Sequence, residues 1–192
     1  MFRLGAMNET PKRFIVLPAV LVAISLAILS SCQMTRSGEY PDQTVNAVDL
    51  NRYAGKWYEI ASFPAWFQRD CYCTTAEYKV EGDYVRVKNS CRIGSPDGPQ
   101  DVAFAKAFPV PGTRNSQLKV QFQWPFKGDY WIIALDENYG FAMVGHPAKK
   151  YLWILSRTPT MAEATYGELV EEARSKGYDV DRLKRSHQSC RE

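Results

Sequence analysis

In Leu118-Lys119-Val120-Gln121-Phe122-Gln123-Trp124 every second residue is apolar and the residues between are polar. A period of two is the mark of an extended strand with one face in water and the other in a core. Short runs of this kind recur from about residue 50 to 156, with turn residues between them. The spacing predicts strands over 54–62, 73–81, 84–91, 101–108, 117–124, 129–135, 140–145 and 151–156. Repeated short strands without helical runs between them argue against βαβ units and for an all-β sandwich or barrel. Eight is a natural closure number, because an antiparallel up-and-down barrel of that size has no sheet edge and an interior just wide enough for one small ligand.

The alternation also assigns faces. Leu118, Val120, Phe122 and Trp124 point inward, as do Val85 and Val87, with Arg86 and Lys88 in water. The neighbouring strand offers Ala76, Tyr78 and Val80 inside and Glu77 and Lys79 outside. Keeping both inner sets on one face pairs 80 with 85 and 78 with 87, which leaves Gly82-Asp83 as a two-residue turn with glycine first, the type II′ requirement. Two strands, Gly55-Lys56-Trp57-Tyr58-Glu59-Ile60 and Tyr151-Leu152-Trp153-Ile154-Leu155, are apolar on both faces. Their outer side needs a cover. After Pro159, Thr160 with Glu163 three residues on reads as a capping box. Ala162, Tyr166, Leu169, Val170 and Ala173 then form a helical stripe that ends at Gly177. One helix packed outside the first and last strands is therefore expected, with no second domain.

The N-terminal part is of another kind. Lys12 and Arg13 stand before an uncharged run from Phe14 to Leu29, too short for a comfortable bilayer crossing and followed by small residues, as in a signal peptide. Leu29-Ser30-Ser31-Cys32 resembles the lipobox of bacterial lipoproteins, in which the cysteine becomes the acylated mature N-terminus. The expected organisation is a leader over 1–31, a lipidated flexible tether over 32–49 and the barrel with its helix and tail over 50–192. Five cysteines support this division. With Cys32 carrying lipid, Cys71, Cys73, Cys91 and Cys190 are left to pair in an oxidising compartment.

Composition removes other classes. Lys and Arg number 24 against 21 Asp and Glu, and three of the cations lie in the leader, so no basic nucleic-acid footprint exists. His146 and His187 are the only histidines, which rules out a three-histidine zinc site. His146 before Pro147 reads as a solvated loop residue, and no metal or cofactor is expected. Neither a G-x-S-x-G elbow nor an H-E-x-x-H motif occurs. Cys71 or Cys73 is a candidate nucleophile only if its thiol is free, and pairing leaves no thiolate to attack with.

Gly55-Lys56-Trp57-Tyr58 at the first strand resembles the G-x-W motif of the lipocalin family, Leu135-Asp136-Glu137-Asn138-Tyr139 sits where its second motif falls, and Arg157 follows the last strand as its third-motif arginine does. Trp57-Tyr58-Glu59-Ile60-Ala61 and the stretch Tyr151 to Pro159 are most similar to the bacterial outer-membrane lipoprotein branch and the apolipoprotein D type. The resemblance implies that Gly55, Trp57 and Arg157 close one end of the barrel, with the guanidinium over the indole. It also implies a disulfide between Cys73 and Cys190, which leaves Cys71 for Cys91.

The resemblance favours a liganded interior, so Ala76, Tyr78, Val85, Val87, Leu118, Val120, Phe122 and Trp124 become the candidate ligand-binding set. The expected ligand is a fatty acid or lysophospholipid with its head at the open mouth, bound by a non-enzymatic protein that meets the membrane through the lipid on Cys32. The alternatives are a structural envelope lipoprotein without ligand and a thiol-dependent enzyme.

Overall fold

The hairpin around Gly82-Asp83 sets the register of everything that follows. In the computed structural model, which describes residues 43–190, β2 (Cys71–Glu81) and β3 (Tyr84–Ile93) pair antiparallel with Val80 opposite Val85 and Tyr78 opposite Val87. Gly82 takes φ +64°, the value a type II′ turn needs at its first central position. The meander continues through β4 (Gln100–Pro109), β5 (Gln117–Gln123), β6 (Phe126–Leu135), β7 (Phe141–Gly145) and β8 (Leu152–Ser156), each antiparallel to the one before. β1 (Gly55–Ser62) pairs with both β8 and β2 and closes an eight-stranded barrel. The expected leader and Cys32 lie outside the described residues.

Alternation divides the apolar residues into two cores. The inner one gathers Trp57, Tyr78, Val85, Val87, Leu118, Ile132, Val144 and Leu155 inside the barrel. The outer one lies under the helix α2 (Glu163–Ser175), where Leu169 and Ala173 pack with Ile60, Trp131, Met143, Leu152 and Ile154. The doubly apolar β1 and β8 are therefore covered as expected. The helix ends in a Schellman arrangement: Gly177, at φ +82°, donates to the Arg174 carbonyl and Tyr178 to that of Ala173.

The helix starts later than its sequence signal. Ala162, not Thr160, occupies the cap position and makes no side-chain bond. The Glu163 carboxylate that would complete a capping box is engaged by Arg185, and the Thr160 carbonyl accepts from Thr158 Oγ1 at 2.7 Å.

Two further differences concern the ends of the domain. The chain is attached to the barrel before residue 49: Val45 N donates to the Ile132 carbonyl and Val48 N to that of Arg114, both at 2.9 Å. A short helix α1 (Leu50–Tyr53), capped by the Asp49 carboxylate, follows. Beyond the outer helix, β9 (Lys184–Arg185), which the alternation does not signal, adds to the edge of β1 opposite Ala61 and Ser62.

The antiparallel path brings 63–70, 94–99, 124–125 and 146–151 to one end, the mouth. α1 and the turns at 82–83, 110–116 and 136–140 form the floor.

Candidate functional site

The floor is built around Trp57, which is fully buried and whose indole Nε1 donates to the Tyr53 carbonyl at 2.8 Å. The Arg157 guanidinium lies over the ring, 3.8 Å from its centroid. It donates to the carbonyls of Lys56 (2.9 Å), Arg52 (2.8 Å), Tyr53 (3.2 Å) and Tyr139 (3.2 Å). One side chain thus ties α1, β1 and the β6–β7 turn together. Gly55 is constrained twice, by φ +95° and by Arg157 Nη1, which lies 3.3 Å from where its Cβ would stand.

Above this plug sit three phenols. Tyr130 Oη lies 2.8 Å from both Tyr53 Oη and Tyr78 Oη. Burial drives all three pKa values up, that of Tyr78 to about 12, so the hydroxyls stay protonated.

The inner wall above the phenols is made of small residues. β4 presents Ala103, Ala105 and Ala107 inward by register with Asn89, Val87 and Val85, β2 presents Ala76, and β6 presents Gly128 opposite Val120. A Cβ on Gly128 would meet only the Val120 carbonyl oxygen, at 3.9 Å. Burial falls off toward the mouth. Ala105 and Ala107 are buried, Ala76 and Val120 are half-buried, and Ala103 and Gly128 are exposed although they face inward.

Of the expected ligand set, Tyr78, Val85, Val87 and Leu118 are buried in the inner core and Ala76 and Val120 border it. Phe122 and Trp124 differ. Trp124 lies beyond β5 in the turn to β6 and is 82% exposed, and Phe122 is 55% exposed. They border one shallow surface depression together with Phe104 and Lys106. The regular alternation stops at Val120: pairing between β5 and β6 shifts between Val120 and Gln123, and Pro125 follows without a backbone N–H. With Trp66, Phe67 and Phe126, also exposed, Trp124 makes an aromatic rim around the mouth.

The sequence reading missed the seam between β1 and β2. These strands pair directly only from Gly55 to Tyr58, opposite Tyr78 to Thr75. Above that the C-terminal tail fills the gap. Ser186 N donates to the Ile60 carbonyl, Cys73 N to that of His187, and Gln188 Nε2 to those of Glu59 and Thr74. Cys73 is bonded to Cys190, with their Cα atoms 6.0 Å apart, and Cys71 to Cys91 at 5.4 Å. A bulge makes both bonds possible: the pairing of β2 with β3 shifts between Tyr72 and Thr75, with Cys73 at φ +53°, so that two cysteines two positions apart leave on opposite faces.

At this seam Glu59 is buried and accepts from Ser62 Oγ, Gln68 Nε2 and Ser186 Oγ. Desolvation raises its pKa against the pull of those donors. A lone charge inside the apolar run 57–61 was the available signal. His146 lies in the mouth loop, with Nδ1 accepting from Ala148 N, and His187 stacks on Tyr72 at 5.3 Å.

The family model of a lipocalin-like domain matches residues 48–188. Temperature-induced lipocalin-1 of Arabidopsis thaliana is 38% identical over 156 residues, covering 77% of this chain and 83% of its own length. Outer membrane lipoprotein Blc of Escherichia coli K12 is 37% identical over 172 residues, 87% of this chain and 94% of that protein. Mouse apolipoprotein D is 31% identical over 152 residues, 73% and 77% of the two chains. Among solved structures, insecticyanin of the tobacco hornworm superposes with a TM-score of 0.61 over 75% of this chain and 82% of its own, at 24% identity, a likeness of fold alone. With its G-x-W strand, its arginine-closed floor and its outer helix, the chain belongs to the lipocalin family.

Proposed function

We propose that the protein binds one long-chain lipid, a fatty acid or lysophospholipid, within the barrel, and that a lipid on Cys32 holds it at an envelope membrane. One observation supports the first half: Ala103 and Gly128, inward by register, are exposed while the floor beneath them is buried, as in a barrel left open above and not packed throughout. Acyl burial contributes about 0.8 kcal/mol per CH₂, and association and ordering costs reduce that gross gain. The exposed aromatic rim offers an apolar route from a bilayer into the cup. The envelope assignment is supported by the Leu29-Ser30-Ser31-Cys32 motif and by relatives named outer membrane lipoproteins. With Cys71 and Cys73 both in disulfides, the thiol-enzyme alternative lacks its nucleophile.

Native mass spectrometry of the delipidated protein with added hexadecanoic acid tests the ligand. A one-to-one complex and tryptophan quenching are expected, whereas absence of any complex leaves a structural lipoprotein. Cys32→Ala tests the anchor, with release from membranes or an unprocessed precursor expected and unchanged retention refuting it.

A further inference from the structure

We infer that the barrel floor recognises a neutral oxygen, a hydroxyl or a carbonyl, at the deep end of the bound lipid, through the hydroxyl cluster of Tyr53, Tyr78 and Tyr130. This rests on the ligand-binding reading above and adds to it the chemistry of the ligand's buried end.

Each phenol has one O–H to donate and two lone pairs to accept with. The cluster contains two hydrogen bonds, Tyr53 with Tyr130 and Tyr78 with Tyr130. Three donors serve two bonds. At least one O–H is therefore left over, and among the described residues no other group accepts it. Such a donor is costly to leave unmatched, so it takes its partner from whatever occupies the space above it. Four lone pairs are unspent as well, so the cluster can both donate and accept.

The position of the cluster makes it reachable from above. Tyr130 is only half-buried, and the next inward position toward the mouth on its own strand is Gly128, which adds no side chain. Ala76 stands in the same relation to Tyr78. At these two positions only a methyl group, on Ala76, and no side chain, at Gly128, stand between the phenols and the mouth.

Charge selects the oxygen. A carboxylate at this depth needs a cation to offset its desolvation. The nearby Arg157 is committed to four backbone carbonyls. With burial holding the phenols protonated, the floor suits a neutral oxygen, and a charged head stays at the mouth.

The test compares decanoic, dodecanoic and hexadecanoic acids with their ω-hydroxy counterparts, by calorimetry on the delipidated mature protein. A terminal hydroxyl carried into an aliphatic pocket weakens binding by at least tenfold. Against that expectation, at least one ω-hydroxy acid should bind as tightly as its parent or more tightly, and Tyr130→Phe should lower the ratio of the two affinities by about tenfold. Weaker binding of the ω-hydroxy acid at every chain length overturns the inference while leaving the ligand-binding reading intact. An unchanged ratio in Tyr130→Phe also overturns it. If no acid of either kind binds, the ligand-binding reading fails first. The wild-type comparison decides the question even where the variant does not fold.

Discussion

At the scale of single residues, Arg157 shows why chemistry and not charge alone closes the floor. Its guanidinium distributes donors over carbonyls from three separate elements while its face covers Trp57. An ammonium is a point charge and has no fork. Arg157→Lys is therefore expected to destabilise the protein by about 2–4 kcal/mol, nearly as much as Arg157→Ala, through carbonyls left without partners. Urea unfolding of both variants checks this. Glu59 gives a prediction of opposite kind. Its folded pKa lies above the ordinary 4.5 because burial disfavours the carboxylate, so between those two values the folded state holds more protons than the unfolded state. Stability then falls as pH rises through that window, and the penalty persists above it. Glu59→Gln should remove this slope, gaining relative to wild type as pH rises, which unfolding curves at a series of pH values will show. The two residues also mark what was legible in the sequence. Gly55, Trp57 and Arg157 were readable because a motif carries them. Glu59 and the phenol cluster were not, because their meaning depends on which distant groups, Ser186 or Tyr130, the fold brings to them.

At the scale of elements, all eight barrel strands were readable to within three residues at their ends, since alternation is a local property and the Gly82-Asp83 turn permits one register. What escaped is wherever alternation stops being local: the shift after Val120 that turns Phe122 and Trp124 toward solvent, the bulge at Cys73, and the late start of the helix. One close approach adds to the packing that seats that helix. Tyr178 Oη stands 2.0 Å from where a Cβ on Gly145 would be, and it donates to the His146 carbonyl at 3.2 Å. Gly145→Ala should therefore push Tyr178, and the end of the helix with it, off the barrel at a cost of about 1–3 kcal/mol. In a Tyr178→Ala background the cost should largely vanish, so a double-mutant cycle by thermal unfolding measures the contact.

At the scale of the whole molecule, the ring of strands is closed along one side by four direct residue pairs and a tail. The Cys73–Cys190 bond spans 117 residues, and in the chain-entropy model a loop of that size stabilises by about 4.7 kcal/mol. Cys73→Ser with Cys190→Ser should lose much of that in urea unfolding. Amide exchange should rise at Ile60 to Ser62 and at residue 73, whose N–H donates to the His187 carbonyl, while β6 and β7 stay protected. The same seam imposes a timetable. A chain that emerges from its N-terminus has all eight barrel strands available before residue 184 is made, yet the upper edges of β1 and β2 stay bare, with ladder groups free to recruit a neighbouring molecule. Completion waits for residues 184–190 and for an oxidant. A chain stopped at Leu183 would own every strand of the barrel and still be unfinished, so its fate is decided after the barrel strands themselves have been made.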